Sequence, residues 1–397
     1  MIPALPLDVV RLVFDFLADS LDEASRRAEG ARLALIQRAW QEPAYELAWR
    51  EVTVANVRDK GLLDHLLAHR NLLGYVRKIE IPSVQGPCPT GINLCEQRHP
   101  LELTHYFLLS PEEAQPFRDL ILSCPNLLSL ELPVSFPNLD LIRELSKSHV
   151  AAKLHALDIT LNPEGHFDLV NLHIVLARFI GLDYLQLRPI KFENSLWSYD
   201  PQGCMPQLAV ATLVVTLTSQ HQDVYVGAFS RMIVALIARS SFRSLMLQNY
   251  AGDSALPNWL PTCGNLVDLT LWCASPFDLC HLLQPITQLL PKLYSLQTLL
   301  ISSQPLYYQL ADLPLAAFLH SLPSRVRHAA VYSVAFPPSD IPVASLADLQ
   351  PSVNSPAQAT VKVVLAELVG LPGMWFTKHA ELRKSDQSAV GWVIVEP

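Results

Sequence analysis

A short triad, Leu-x-x-Leu-x-Leu, recurs along this chain and limits its folding more than any other feature. In residues 265–272 it reads Leu266, Leu269 and Leu271. From Leu269 on, apolar and polar residues alternate. Leu269 and Leu271 therefore share one face of a strand, and Asp268, Thr270 and Trp272 share the other. One such strand cannot bury its apolar face alone, so it needs copies of itself. They are present as Leu127/Leu130/Leu132, Leu154/Leu157/Ile159, Leu182/Leu185/Leu187, Val210/Leu213/Val215, Phe242/Leu245/Leu247, Leu296/Leu299/Ile301 and, with smaller residues, Val326/Ala329/Val331. Successive first positions are 27, 28, 28, 32, 24, 30 and 30 residues apart. Leu-rich sequence throws up single triads by chance, but not eight at near-regular spacing.

Between the triads lie helical patterns, at residues 138–148, 166–179, 227–240, 276–290 and 312–321. Ser110-Pro111-Glu112-Glu113 is a further helix start, with Ser as N-cap and Pro at the first helical position. Strand and helix alternating at this period predict an α/β fold, in which parallel strands stack and helices lie outside them. The triads and their period resemble leucine-rich repeats. That resemblance implies a solenoid over residues 82–335, preceded by a transition over 53–81. Val76/Ile79/Ile81 and Leu103/Tyr106/Leu108 have the same spacing. The family usually carries Asn or Cys three residues past the third anchor. Here only Asn162 fits, so an irregular solenoid is expected. Residues 336–360 are rich in Pro, Ser and Ala and read as irregular, and 361–397 as a C-terminal cap. Side chains alternating with the anchors would face a partner: Glu131, Asp158, Tyr184, Arg188, Asp268, Trp272 and Tyr332. Tyr and Trp suit that role because they offer apolar area with a polar handle.

Residues 1–52 read differently. Val9, Leu12, Val13, Phe16 and Leu17 form an apolar stripe at helical spacing behind Leu5-Pro6-Leu7-Asp8. A charged stretch runs from Asp19 to Arg32. Leu33, Leu35, Ile36, Ala39 and Trp40 then predict a second apolar helix ending near Pro43, and Tyr45, Leu47 and Trp49 lead to Arg50. Leu-Pro-x-Asp-Val, Leu-Ala-Leu-Ile-Gln-Arg-Ala-Trp and Leu-Ala-Trp-Arg, in this order, resemble an F-box. The resemblance implies that Leu5, Pro6, Val9, Val13, Phe16, Leu17, Leu35, Ile36, Trp40 and Trp49 divide between the module's core and contact with the Skp adaptor of a cullin ubiquitin ligase. The stretch from Asp19 to Arg32 is longer than the family's usual first link, and Gln37 stands where Cys is common. An F-box followed by Leu-rich repeats is the layout of substrate receptors, which bind a protein target and catalyse nothing themselves. The alternative is an interaction or scaffold protein whose first helices only cap the repeats.

Composition narrows the classes further. Half of the 397 residues are apolar and 17% are charged, which excludes wholesale disorder. A net charge of -8 argues against a nucleic-acid binder. Seven cysteines without paired spacing read as reduced thiols, consistent with cytoplasm or nucleus. The N-terminus lacks a basic segment before an apolar run, and no apolar run reaches the ~18 residues that span a bilayer, so no membrane is expected. Cys88, Cys95, His99 and His105 match no common zinc spacing, and His65 and His69 lack a third ligand. No nucleophile elbow, phosphate-binding loop or dinucleotide fingerprint occurs, so neither enzyme activity nor a cofactor is expected.

Overall fold

The computed structural model describes residues 6–54, 60–81, 111–132, 138–161, 169–189, 208, 210–216, 243–250, 260–273, 276–303, 318, 321–323, 325–332, 362–371, 374–384 and 392–395. The expected triad at Leu103/Tyr106/Leu108, Asn162, the helices at 227–240 and most of 312–321, the irregular segment 336–360 and the Cys88–His105 cluster lie outside these residues. The chain divides into two compact units: Met1–Glu164 with Ile174–Asp183, and Gly165–His173 with Tyr184–Pro397.

The first unit begins with three helices: α1 (Leu7–Ser20), α2 (Glu23–Ala34) and α3 (Gln41–Trp49). The Pro6 carbonyl starts α1 by accepting the Val9 and Val10 amides at 3.0 and 3.1 Å. Asp22 caps α2, its carboxylate accepting the Ser25 amide at 2.8 Å. That bond, reinforced by the Ser25 hydroxyl, lowers the Asp22 pKa. The stretch read as a charged link is thus itself the second helix. Its Ala, Arg and Glu residues favour helix, and the cap fixes its start. The apolar helix expected over 33–40 does not form. The Leu35 amide turns back to Arg32 and Leu33, Gln37 is extended, and a single 3₁₀ turn spans Arg38–Trp40. Pro43 does not end a helix. It sits in the first turn of α3, where its missing N–H costs nothing.

The three helices enclose Val10, Phe14, Ala18, Leu33, Ala34, Ala44 and Leu47, with Leu17, Trp40 and Tyr45 packed alongside. Phe14 meets Trp40 edge-on at 6.2 Å between centroids. Gly30 lets α2 lie against α3: a Cβ there would be 2.6 Å from the Ala44 carbonyl oxygen. Arg26 joins the helices to the first strand. It donates to the Ala18 carbonyl at 2.8 Å and pairs with Glu51 at 2.6 Å.

Four parallel strands follow in this unit: β1 (Glu51–Thr53), β2 (Lys78–Glu80), β3 (Ser129–Leu132) and β4 (Ala156–Leu161). The helices α4 (Lys60–Ala68), α5 (Pro111–Ser123) and α6 (Asn138–Leu145) lie between them in sequence. Ile79 pairs with Leu130, and Leu130 with Leu157, so the second anchor of each triad lies beside that of the next. The first anchors Val76, Leu127 and Leu154 are fully buried. One carbonyl at each corner holds two amides of the following rung: Arg77 and Lys78 on Arg50, Leu128 and Ser129 on Arg77, His155 and Ala156 on Leu128, all at 2.7–3.0 Å. The helix α7 spans Leu169–Leu176.

The second unit holds β5 (Tyr184–Pro189), β6 (Thr212–Thr216), β7 (Ser244–Tyr250), β8 (Asp268–Cys273), β9 (Thr298–Ser303), β10 (His328–Tyr332) and β11 (Lys362–Leu371), paired in parallel in chain order. The same register runs through Leu185, Leu213, Leu245, Leu269, Leu299, Ala329 and Val363. The doubly bonded corner recurs at Ala211, Arg243, Val267 and Gln297. The helix α8 (Pro276–Leu289) packs on β8 and β9. The parallel order then stops, because β12 (Met374–Lys384) and β13 (Trp392–Val395) run antiparallel. The residues read as a cap therefore make three strands. Leu371 pairs with Met374 where β11 and β12 meet. The fold is α/β with parallel strands and helices, as expected. No described helix is long and apolar enough to cross a membrane.

Candidate functional site

The apolar residues of α1 form two stripes. Val10, Phe14 and Ala18 face the module's core, 2, 6 and 5% exposed. Val9, Leu12, Val13 and Phe16 face water, 41, 68, 50 and 72% exposed. These four stand at i, i+3, i+4 and i+7, so they are neighbours on one helical face. Asp8, Arg11, Asp15 and Asp19 occupy the remaining side. Leu7 is exposed as well, and the turn after α2 exposes Leu35 and Ile36. An apolar helix face in water is costly, and such surfaces mark interaction sites.

The residues singled out from sequence therefore separate. Pro6, Val9, Val13, Phe16, Leu35 and Ile36 lie on the surface. Leu17 and Trp40 pack against the core. Trp49 stacks on His65 at 5.6 Å, with the Arg27 guanidinium 5.4 Å from its ring centroid. Leu5 lies outside the described residues. The single stripe read from sequence, with Leu17 in it, was the outer stripe plus one core residue. The inner one was legible in Val10, Phe14 and Ala18 at i, i+4 and i+8.

His65 and His69 stack on each other at 4.3 Å, and Nδ1 of His69 lies 2.9 Å from the His65 carbonyl oxygen. Among the described residues no group of three or more His, Cys, Asp or Glu side chains could hold a metal. Cys124, Cys263 and Cys273 are buried and form no disulfide. Cys124 and Cys263 each stand three residues before a first anchor, Leu127 and Leu266, where they fill the core. Burial raises the Cys124 pKa to about 12.

Of the strand-face residues, Glu131 and Asp158 belong to the first unit. They are adjacent across β3 and β4. Glu131 is half-buried, whereas Asp158 is 8% exposed and offers a partner little surface. Neutral polar bonds occur on the face in the second unit. Tyr184 donates to Gln186 at 2.7 Å, and Thr216 to Gln248 at 2.8 Å. Arg188 and Asp268 are half-buried; Tyr332 ends β10. Trp272 pairs with Gln248 on one side and Ser302 on the other. At 40% exposure it is the large apolar side chain this face turns to solvent among the described residues. Val214 and Ala330 alternate with the anchors of their strands and are nevertheless buried.

A scan against family models finds no match, and no curated protein is similar enough to count as a relative.

Proposed function

We propose that this chain is the substrate-recognition subunit of a Skp–cullin–F-box ubiquitin ligase. The N-terminal helices act as the F-box and dock the Skp adaptor, which joins the chain to a cullin. The strand faces, an irregular leucine-rich-repeat array, hold a protein target. The chain catalyses nothing, and other subunits transfer ubiquitin. Holding the target beside the transferring enzyme raises its effective concentration there.

The observation that carries this reading is the outer stripe of α1. Val9, Leu12, Val13 and Phe16 are exposed although the module already has a core. The rival reading makes the helices an end cap of a scaffold protein, and the bonds from Arg26 to Ala18 and Glu51 favour it. An end cap, however, turns a polar outer face to water. An apolar outer face belongs to a helix with a partner.

Co-purification with the Skp adaptor tests the reading. Val13→Ser with Leu35→Ser should abolish it without changing the fold, because both residues are exposed. Retained binding in that variant sinks the proposal. Trp272→Ala should weaken target capture and leave adaptor binding intact. Loss of both would mark Trp272 as a packing residue.

A further inference from the structure

A depression of about 610 Å³ opens where the chain turns into β7–β10, in the second unit. Arg243, Asn265, Tyr294, Ser295, Arg325 and Arg327 supply its polar wall, and among the described residues no carboxylate lines it. Elsewhere Arg26, Arg50, Arg77, Arg118 and Arg143 each pair with an Asp or Glu. Among the described residues no ion pair engages Arg243, Arg325 or Arg327. Like charges gathered without a counter-charge repel. In a chain of net charge -8 such a gathering is a local feature.

The backbone that carries these donors is held in place. The Arg243 and Arg327 amides are fixed to the Ala211 and Gln297 carbonyls, both at 2.8 Å. The Arg325 guanidinium lies 5.3 Å from the Tyr294 ring centroid. Its Nε is enclosed and has no acceptor among the described residues. An enclosed guanidinium N–H without an acceptor is a donor set for a ligand. The Ser295 hydroxyl donates to the Gly264 carbonyl at 2.8 Å, which ties two of the turns together.

We propose that this depression binds an acidic peptide segment, best matched by a phosphorylated Ser or Thr side chain. Guanidinium forks suit planar or multi-oxygen anions, and a phosphomonoester offers three acceptor oxygens to the three arginines. Tyr294, 68% exposed, supplies an apolar wall for the residues beside the acidic group. The opening to the surface lets a peptide enter and leave. A nucleic-acid strand would need a basic track along the surface, against the chain's overall charge. This site is separate from α1, so the proposal does not rest on adaptor docking.

The test uses the full chain and fluorescent degenerate peptide pools centred on phosphoserine, Glu or Ser, read by polarisation. The phosphoserine pool should bind at least tenfold tighter than the Ser pool, with the Glu pool between them. Arg325→Gln, and Arg243→Ala with Arg327→Ala, should each weaken it at least tenfold. Arg325→Lys should not restore it, because the fork is lost. Arg178→Ala, at an exposed arginine of the first unit, should change nothing. Should Arg325→Gln lower the melting temperature, the double variant decides, since Arg243 and Arg327 are exposed. The proposal is overturned by equal binding of the Ser and phosphoserine pools, by pocket variants without effect, or by tighter binding of a single-stranded oligonucleotide. Displacement by inorganic phosphate at the peptide's own concentration would also overturn it, and would assign the site to free phosphate.

Discussion

Phe14 and Phe16 stand two residues apart on α1, and they should respond to truncation in opposite ways. Phe14 is 6% exposed and meets Trp40 edge-on. Replacing it with Ala empties the middle of a small core and should cost about 3–5 kcal/mol. Loss of the ring pair falls within that figure. Phe16 is 72% exposed. Its truncation removes almost no folded-state contact and should change stability by no more than ~0.5 kcal/mol. In a complex the ranking reverses. Covering about 100 Å² of the Phe16 ring at ~25 cal/mol per Å² gives roughly 2.5 kcal/mol, or nearly two orders of magnitude in Kd. The assay is a thermal melt followed by Trp fluorescence, in which Trp40 and Trp49 of this module contribute two of the chain's seven Trp, beside a titration with the Skp adaptor. Phe14→Ala should unfold the module and lose the adaptor. Phe16→Ala should melt like the parent and still lose it. A Phe16→Ala variant destabilised by more than ~1 kcal/mol would refute the two-stripe account of α1. One that binds the adaptor at full strength would refute the docking surface.

Gly30→Ala should destabilise the helical module, reversing the gain of ~1 kcal/mol that an exposed helical glycine would give. The new Cβ would meet the Ala44 carbonyl oxygen at 2.6 Å and the Ala48 Cβ at 2.8 Å, and chemical denaturation reads the loss. Leu269→Ala should cost about 3 kcal/mol, because Leu269 is fully buried between Leu245 and Leu299. Thr270→Ala on the opposite face should cost a few tenths at most, and denaturant midpoints compare the two. Cys124 should resist alkylation at pH 8 in the folded chain and react once the chain is unfolded. Its pKa rises from 9.0 to about 12 by burial, so the folded state favours the thiol. The stability this holds is complete below pH 9 and is lost as pH climbs from about 9 to about 12.

The strands were legible because their signal is local and repeated. Within each unit the triads pair with their neighbours in register, and Leu130, Leu157 and Leu269 stand where alternation puts them. The helices of the first 50 residues were less legible. Apolar spacing alone made a helix of 33–40 and a link of 19–32. The decisive information was a cap: Asp22 with Ser25 three residues on, followed by good helix formers. On α1 every third of the surface but one is apolar, so a count of apolar residues cannot say which stripe meets the core. Packing of α3 decides it, and that depends on Gly30, Ala44 and Ala48 being small. The basic depression was not legible at all. Arg243, Asn265, Tyr294 and Arg325 are scattered over more than eighty positions. They meet because corners of successive rungs lie side by side. Their common signal is position, next to the first anchor of each triad.

The corner carbonyls that hold two amides each have a consequence for how the array yields. The Arg243 oxygen carries the Val267 and Asp268 amides, the Val267 oxygen carries Gln297 and Thr298, and the Gln297 oxygen carries Arg327 and His328. A corner therefore cannot open by one bond. Releasing either amide leaves its oxygen bonded to the other, and freeing both requires the whole rung to part from the one before it. In hydrogen exchange, the two amides of a corner should lose protection together, with a single opening free energy per rung. Under a pulling force, resistance should come in steps one repeat long, with each rung peeling as a unit while its neighbour still holds.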